Sequence, residues 1–179
     1  RAIDLAGNHA ISTGCSVVIM SYLNPILHQG TATFATRAAK AGLAGAILPD
    51  LPYEEAEPTR EILAEQQLDL VDLVAPTSGD DRIATIASSS RGFLYLVSLA
   101  GVTGSSLDTS GGVLDFVRDV KCHTATPCYV GFGVSGPQQA AALGQVADGV
   151  IVGSALLRKI QEAGNAKAAI FETERFLTE

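Results

Sequence analysis

The stretch 127–157, PCYVGFGVSGPQQAAALGQVADGVIVGSALL, constrains the fold more than any other part of the chain. It reads as two short apolar strands, 128–130 and 149–152, separated by an alanine-rich amphipathic helix. The helix opens on the capping signal Ser135-Gly136-Pro137. A strand, a helix and a strand at this spacing require parallel strands joined by a right-handed crossover. Each strand runs into a small-residue turn, Gly131-Phe132-Gly133 and Gly153-Ser154-Ala155. Glycine there lets backbone N–H groups approach a ligand with no Cβ in the way. Glycine ends on neighbouring parallel strands outline a phosphate cradle; the plainer reading is a pair of tight turns.

The same alternation runs through all 179 residues. The front, 1–14, reads as the tail of a helix running into a turn. Further strands are expected at 16–20, 44–48, 70–74 and 93–97, and helices at about 31–41, 53–67, 80–89, 113–122, 154–163 and 166–177. The segment SYLNP, 21–25, follows the first strand with no helix assigned before Thr31. Six strand–helix units thus recur at intervals of about 21–34 residues, with no hairpin signal. Regular βα alternation means a parallel sheet, doubly wound or closed. Residues suited to function sit at the end of every strand instead of in one crevice, which favours the closed form. A complete (β/α)8 TIM barrel has eight units in roughly 250 residues. The expectation is therefore an α/β chain, a TIM barrel whose first two βα units are missing, with 1–179 a single partial domain holding barrel strands three to eight. Left open, such a remnant would expose two sheet edges.

Composition fits that expectation. Hydrophobic residues make up 47% and charged residues 17%, a lean charge content that suits strands covered on both faces. A net charge of −7 with no basic stripe argues against nucleic acid and anionic membrane as partners. No apolar run approaches the ~18 residues of a membrane span. Cys15, Cys122 and Cys128 have no CxxC spacing, which points to a reduced, cytoplasmic setting.

In a βα barrel, ligands sit at the C-terminal strand ends. Those ends offer Met20, Tyr22, Asn24, Ile47 with Asp50, Leu73, Tyr95 with Ser98, Gly104, Phe132, and the glycines above. The set suits a flat hydrophobic group at one end and an anion at the other. Backbone N–H groups of Gly133, Gly153 and Ser154, helped by Gly104, would hold the anion, and the helix starting at Ser154 adds a positive dipole end. Lys40, Lys121, Lys159 and Lys167 fall within or between helices, so a Schiff-base aldolase is not expected. His9, His28 and His123 lack companion ligands at workable spacing, and no metal is expected. Cys15 and Cys128 flank strands and read as small core hydrophobes. Tyr95 is either pocket wall or core. Asp50 is either a base at the strand ends or a turn residue that fixes the backbone. Asp80 and Asp81 read as an N-cap pair and Asp148 as a turn residue. A binding site is legible, but no proton-transfer pair accompanies it.

The segments SYLNPI, GAILPDLPYEE, FLYLVSLAGVTG, YVGFGVSGPQQ and ADGVIVGSALL, in this order, resemble the tryptophan synthase alpha chain family over essentially the whole chain. The resemblance implies a barrel lyase of tryptophan biosynthesis that cleaves indole-3-glycerol phosphate to indole and glyceraldehyde 3-phosphate. Indole would pass to a pyridoxal-phosphate-dependent beta chain within a heterotetramer, and the alpha chain would need no cofactor of its own. Matched position by position, the phosphate would be bound by Gly104, Gly133, Gly153 and Ser154. The indole pocket would be formed by Met20, Tyr22, Ile47, Leu73, Tyr95 and Phe132. Asp50 falls where the family contacts its beta partner. Leu99 stands where many members carry arginine. The family's catalytic glutamate and aspartate lie on and just after the second barrel strand, ahead of Arg1, so this chain alone is expected to be inactive. Two other readings stay open: a phosphate-handling barrel isomerase or epimerase using Asp50 as base, and a non-catalytic partner subunit of a pyridoxal-phosphate-dependent beta chain. The polar stretch 105–112 is expected to close over ligand as a lid.

Overall fold

The computed structural model describes residues 1–97, 111–131 and 133–178. They form two compact units: Arg1–Leu73 with Ser89–Phe93, and Val74–Ser88 with Leu94–Glu179.

The first unit begins with α1 (Ala2–Thr13), which ends where Gly14 takes the left-handed conformation at φ 70. Then come β1 (Val18–Met20), α2 (Leu23–Gln29), α3 (Thr31–Lys40) and β2 (Gly45–Ile47). A 3₁₀ turn (Tyr53–Glu55), α4 (Glu57–Glu65) and β3 (Asp69–Val71) follow. The three strands form a parallel sheet in the order β1–β2–β3, with Val18 opposite Gly45 and Gly45 opposite Asp69. β2, in the middle, is buried along its length. Gly45 has to be glycine, because a Cβ there would run into the Asp69 carbonyl oxygen. Helices cover the sheet by inserting small and large apolar residues at helical spacing: Phe34, Ala35 and Ala38 of α3 and Leu63 of α4 pack with Ala46, Leu48 and Leu70.

The second unit carries β4 (Leu73–Val74), in which the division between units falls, then α5 (Asp80–Ser89), β5 (Leu94–Val97) and α6 (Gly111–Cys122). It continues through β6 (Cys128–Gly131), α7 (Pro137–Leu143), β7 (Gly149–Ile151), α8 (Ser154–Glu162) and α9 (Ala166–Thr178). Its sheet has the order β4–β5–β6–β7. β5, β6 and β7 are parallel, with Leu94 opposite Cys128 and Tyr129 opposite Gly149. The parallel strand–helix–strand unit expected within 127–157 is present as β6, α7 and β7. Fold class is α/β with parallel sheets.

Four local features depart from the sequence reading. SYLNP leads into a helix, α2, whose first N–H is capped by Asp50, 27 residues further on. The single strand expected at 70–74 is two pieces, β3 and β4, in different sheets, interrupted at the buried Asp72. Ser135 does not cap α7; Gly136 is its N-cap, and Gln139 Oε1 reaches back to accept the Ser135 N–H and hydroxyl, both at 2.8 Å. Cys15 is exposed, not a core residue, whereas Cys128 is fully buried as expected. Among the described residues no helix is long and apolar enough to cross a membrane.

Candidate functional site

Because β1, β2 and β3 are parallel, and β5, β6 and β7 likewise, the C-terminal ends of each set lie along one end of its sheet. In the first unit this end brings Met20 beside Ile47 in register. Met20, on the edge strand, is 51% exposed, while Ile47, on the central strand, is buried. Tyr22, two residues beyond β1, is 69% exposed. Leu73 is half-buried, next to Asp72. Asp50 follows β2, and both of its carboxylate oxygens accept the Leu23 N–H, at 2.9 and 3.1 Å. This geometry is that of a residue fixing a turn and a helix start, where a negative charge is favoured by the helix dipole.

Behind that end lies a polar cluster absent from the sequence reading. Arg60 of α4 grips Asp72 bidentately, at 2.8 and 3.1 Å, and Asp72 also accepts the Ser90 hydroxyl at 3.2 Å. Burial works against the Arg60 charge, but the Asp72 carboxylate outweighs it and holds the guanidinium above its ordinary pKa. The Arg60 guanidinium stands 5.7 Å over the ring of Tyr53, whose hydroxyl is 2.7 Å from Ser89 Oγ. One signal was available: an aspartate inside the apolar run Leu70-Val71-Asp72-Leu73-Val74 must find a partner when that run is buried.

In the second unit the described residues at the strand ends are mostly glycines and small residues. Tyr95, 4% exposed, lies across Gly131, where a Cβ would collide with the phenol oxygen. Burial pushes the Tyr95 phenol up to about 12. Gly131 is therefore small in order to seat Tyr95, while Gly133 is glycine because it turns at φ 84. Gly153 is the N-cap of α8 and no side chain caps that helix. Gly153 and Ser154 are exposed, and a Cβ on Gly153 would meet nothing within 4 Å. The first N–H groups of α8 have no intrahelical partner and no described side chain caps them, an arrangement able to receive an anion. Gly104 and Phe132 lie outside the described residues, as do Leu99 and most of 105–112.

The side chains that fasten the second unit sit at the opposite ends of its strands. Asp148 Oδ2 accepts the Cys128 N–H at 2.8 Å, and Oδ1 pairs with Lys121 Nζ at 2.7 Å. The Cys128 N–H, and then Lys121, hold the Asp148 carboxyl below its ordinary pKa. Burial, with Asp148 adding to it, pushes the Cys128 thiol up to about 11. A notch of about 370 Å³ near Lys159, Glu162 and Glu172 is at the far end of α8 from Ser154. Among the described residues no three His, Cys, Asp or Glu side chains gather as a metal site.

The family model described as tryptophan synthase alpha chain matches residues 3–179. The chain belongs to the tryptophan synthase alpha chain family. It is 46% identical over 149 residues to the tryptophan synthase alpha chain of Synechococcus elongatus, covering 83% of this chain and 56% of the relative. To that of Geobacillus stearothermophilus it is 44% identical over 163 residues, covering 91% and 60%. A chain of the tryptophan synthase a2b2 complex from Pyrococcus furiosus superposes with a TM-score of 0.86 at 34% identity, covering 98% of this chain and 71% of that chain. Tryptophan synthase subunit alpha from Campylobacter jejuni gives 0.81 at 28%, covering 92% and 66%. This tryptophan synthase alpha family chain therefore spans between 56% and 60% of the length of these curated relatives. The match takes in both units, so both sets of strand ends fall within the family's pattern.

Proposed function

We propose that the chain is the substrate-holding part of a tryptophan synthase alpha subunit, the lyase that splits indole-3-glycerol phosphate into indole and glyceraldehyde 3-phosphate. The family match over residues 3–179 carries the proposal. On this reading the chain is one partial domain of a (β/α)8 barrel, supplying strands three to eight, with β3 and β4 counted as a single barrel strand. The greater length of the relatives supports it.

The substrate's phosphate is assigned to Gly104, Gly133, Gly153 and Ser154. The open N-terminus of α8 supports this, since unsatisfied N–H groups and the helix dipole both favour a phosphate there. Indole is assigned to Met20, Tyr22, Ile47, Leu73, Tyr95 and Phe132, whose side chains are apolar or aromatic. Asp50 is assigned to contact with a pyridoxal-phosphate-dependent beta chain; the solved Pyrococcus relative comes from an a2b2 complex. No cofactor is assigned to this chain, and a reduced, cytoplasmic setting agrees with its three unpaired cysteines.

Retro-aldol cleavage needs a proton delivered to indole C3 and another removed from the glycerol side chain. Asp50 is already engaged in the fold, since both of its oxygens accept the Leu23 N–H. The two proton-transfer groups are therefore assigned to family positions outside 1–179. Each such group is worth about 10²–10⁴ in rate. An indole-release assay on the purified chain is expected to give no turnover above background, and activity to appear only with the longer protein. Turnover by the 179-residue chain near that of a complete relative would overturn the assignment.

A further inference from the structure

The loop that follows β2 is held at both ends by side chains; Leu51 alone packs against the core of the first unit, and the rest of the loop faces outward. Pro49, Asp50 and Pro52 are exposed and Leu51 is half-buried. Upstream, Asp50 ties the loop to the start of α2 through the Leu23 N–H. Downstream, Tyr53 bonds Ser89 through its hydroxyl and carries Arg60 over its ring. Arg60 is in turn locked by the buried Asp72, which Ser90 also engages. All of these residues belong to the first unit. Ordering an exposed loop costs conformational entropy, and burying the Arg60–Asp72 pair costs desolvation. Two prolines restrict the loop further. A surface loop so constrained, apolar apart from one carboxylate, has the properties of a preorganised docking element.

We propose that Tyr53 and Arg60 are positioning residues for partner docking, holding loop 49–52 in the conformation that a tryptophan synthase beta chain binds. The inference rests on the reading of the beta chain as partner and of Asp50 as a contact. The Tyr53–Ser89 bond is exposed, so water replaces it readily and fold stability hardly depends on it. What its loss changes is the range of conformations open to the loop before docking.

The test uses the full chain and, as probe, the pyridoxal-phosphate-loaded beta chain of the Pyrococcus furiosus complex, with affinity read by calorimetry and Tm by thermal unfolding. Tyr53→Phe is expected to weaken binding about fivefold, the effect of one lost hydrogen bond, while Tm moves by no more than about 2 °C. Ser89→Ala, which removes the same bond from the other side, is expected to weaken binding at least as much, and Tyr53→Phe to add nothing in the Ser89→Ala background. Unchanged affinity in Tyr53→Phe, with the unmodified chain binding, overturns the positioning role and leaves the partner reading standing. Loss of affinity in step with a fall in Tm marks a purely structural bond and overturns it as well. No binding by the unmodified chain overturns the partner reading, and the inference with it.

Discussion

The two sheets end differently, although both are parallel and built from the same strand–helix unit. In the first unit the strand ends lead into a loop fastened by charged and hydroxyl side chains: Asp50 on Leu23, Tyr53 on Ser89, and Arg60 on Asp72. In the second, β7 leads into Gly153 and the start of α8 at Ser154, which no described side chain caps. The second unit's own fastening, Asp148 with Cys128 and Lys121, sits at the other end of its strands. On the proposed function, the second unit's strand ends hold an anion and keep free N–H groups and room, with side-chain fastening away from them. The first unit's ends keep a shape against another protein and can use side chains freely.

The largest effect is expected where the first unit's fastening is broken. Arg60→Met leaves Asp72, 6% exposed, charged and unpaired, and should cost about 3–5 kcal/mol in urea unfolding. Replacing both as Arg60→Met/Asp72→Leu should recover most of that, and a loss in the double variant equal to the sum of the two single losses would mean that the pair is not coupled. The second unit should respond to size instead of charge. Gly131→Ala forces a methyl group into the Tyr95 phenol and should cost about 1–3 kcal/mol, whereas Gly153→Ala, facing open space, should stay within about 0.5 kcal/mol. Similar losses at the two glycines would erase the distinction between a packing glycine and an open one.

A small, pH-dependent effect belongs to Asp148. Its folded pKa is lowered, so its contribution to stability is present above the ordinary carboxylate pKa of about 3.9 and is lost as pH falls through the lower folded value. With 40% of the side chain exposed, solvent limits that contribution to about 1 kcal/mol. The stability gap between the unmodified chain and Asp148→Asn should hold steady from about pH 5 to 8 and close below about pH 4. A gap independent of pH down to about pH 2 would assign the effect to packing.

Legibility followed the reach of each interaction. α5 runs from Asp80 to Ser89, residue for residue as expected, because its acidic start and the Gly92 turn after it are local signals. The β6–α7–β7 unit was legible for the same reason. α2 was not, because its cap is Asp50, far along the chain. The split at Asp72 depends on Arg60 and Ser90, which no periodicity brings together. In the candidate site the strand-end positions could be found from sequence, but not what each glycine is for. Gly131 belongs to the packing of Tyr95, and Gly153 alone among the described glycines at these ends stands at an open, uncapped helix start.

The central claim, that the strand ends of the second unit receive the phosphate, is tested most directly by titrating inorganic phosphate into the ¹⁵N-labelled chain. The amide signals of Gly133, Gly153 and Ser154 should shift together and saturably. Ser154→Asp, whose carboxylate suits the α8 N-terminus by about 0.3–1 kcal/mol but repels phosphate, should abolish the shifts without lowering Tm. Phosphate shifts that are absent, or that persist unchanged in Ser154→Asp, would contradict it.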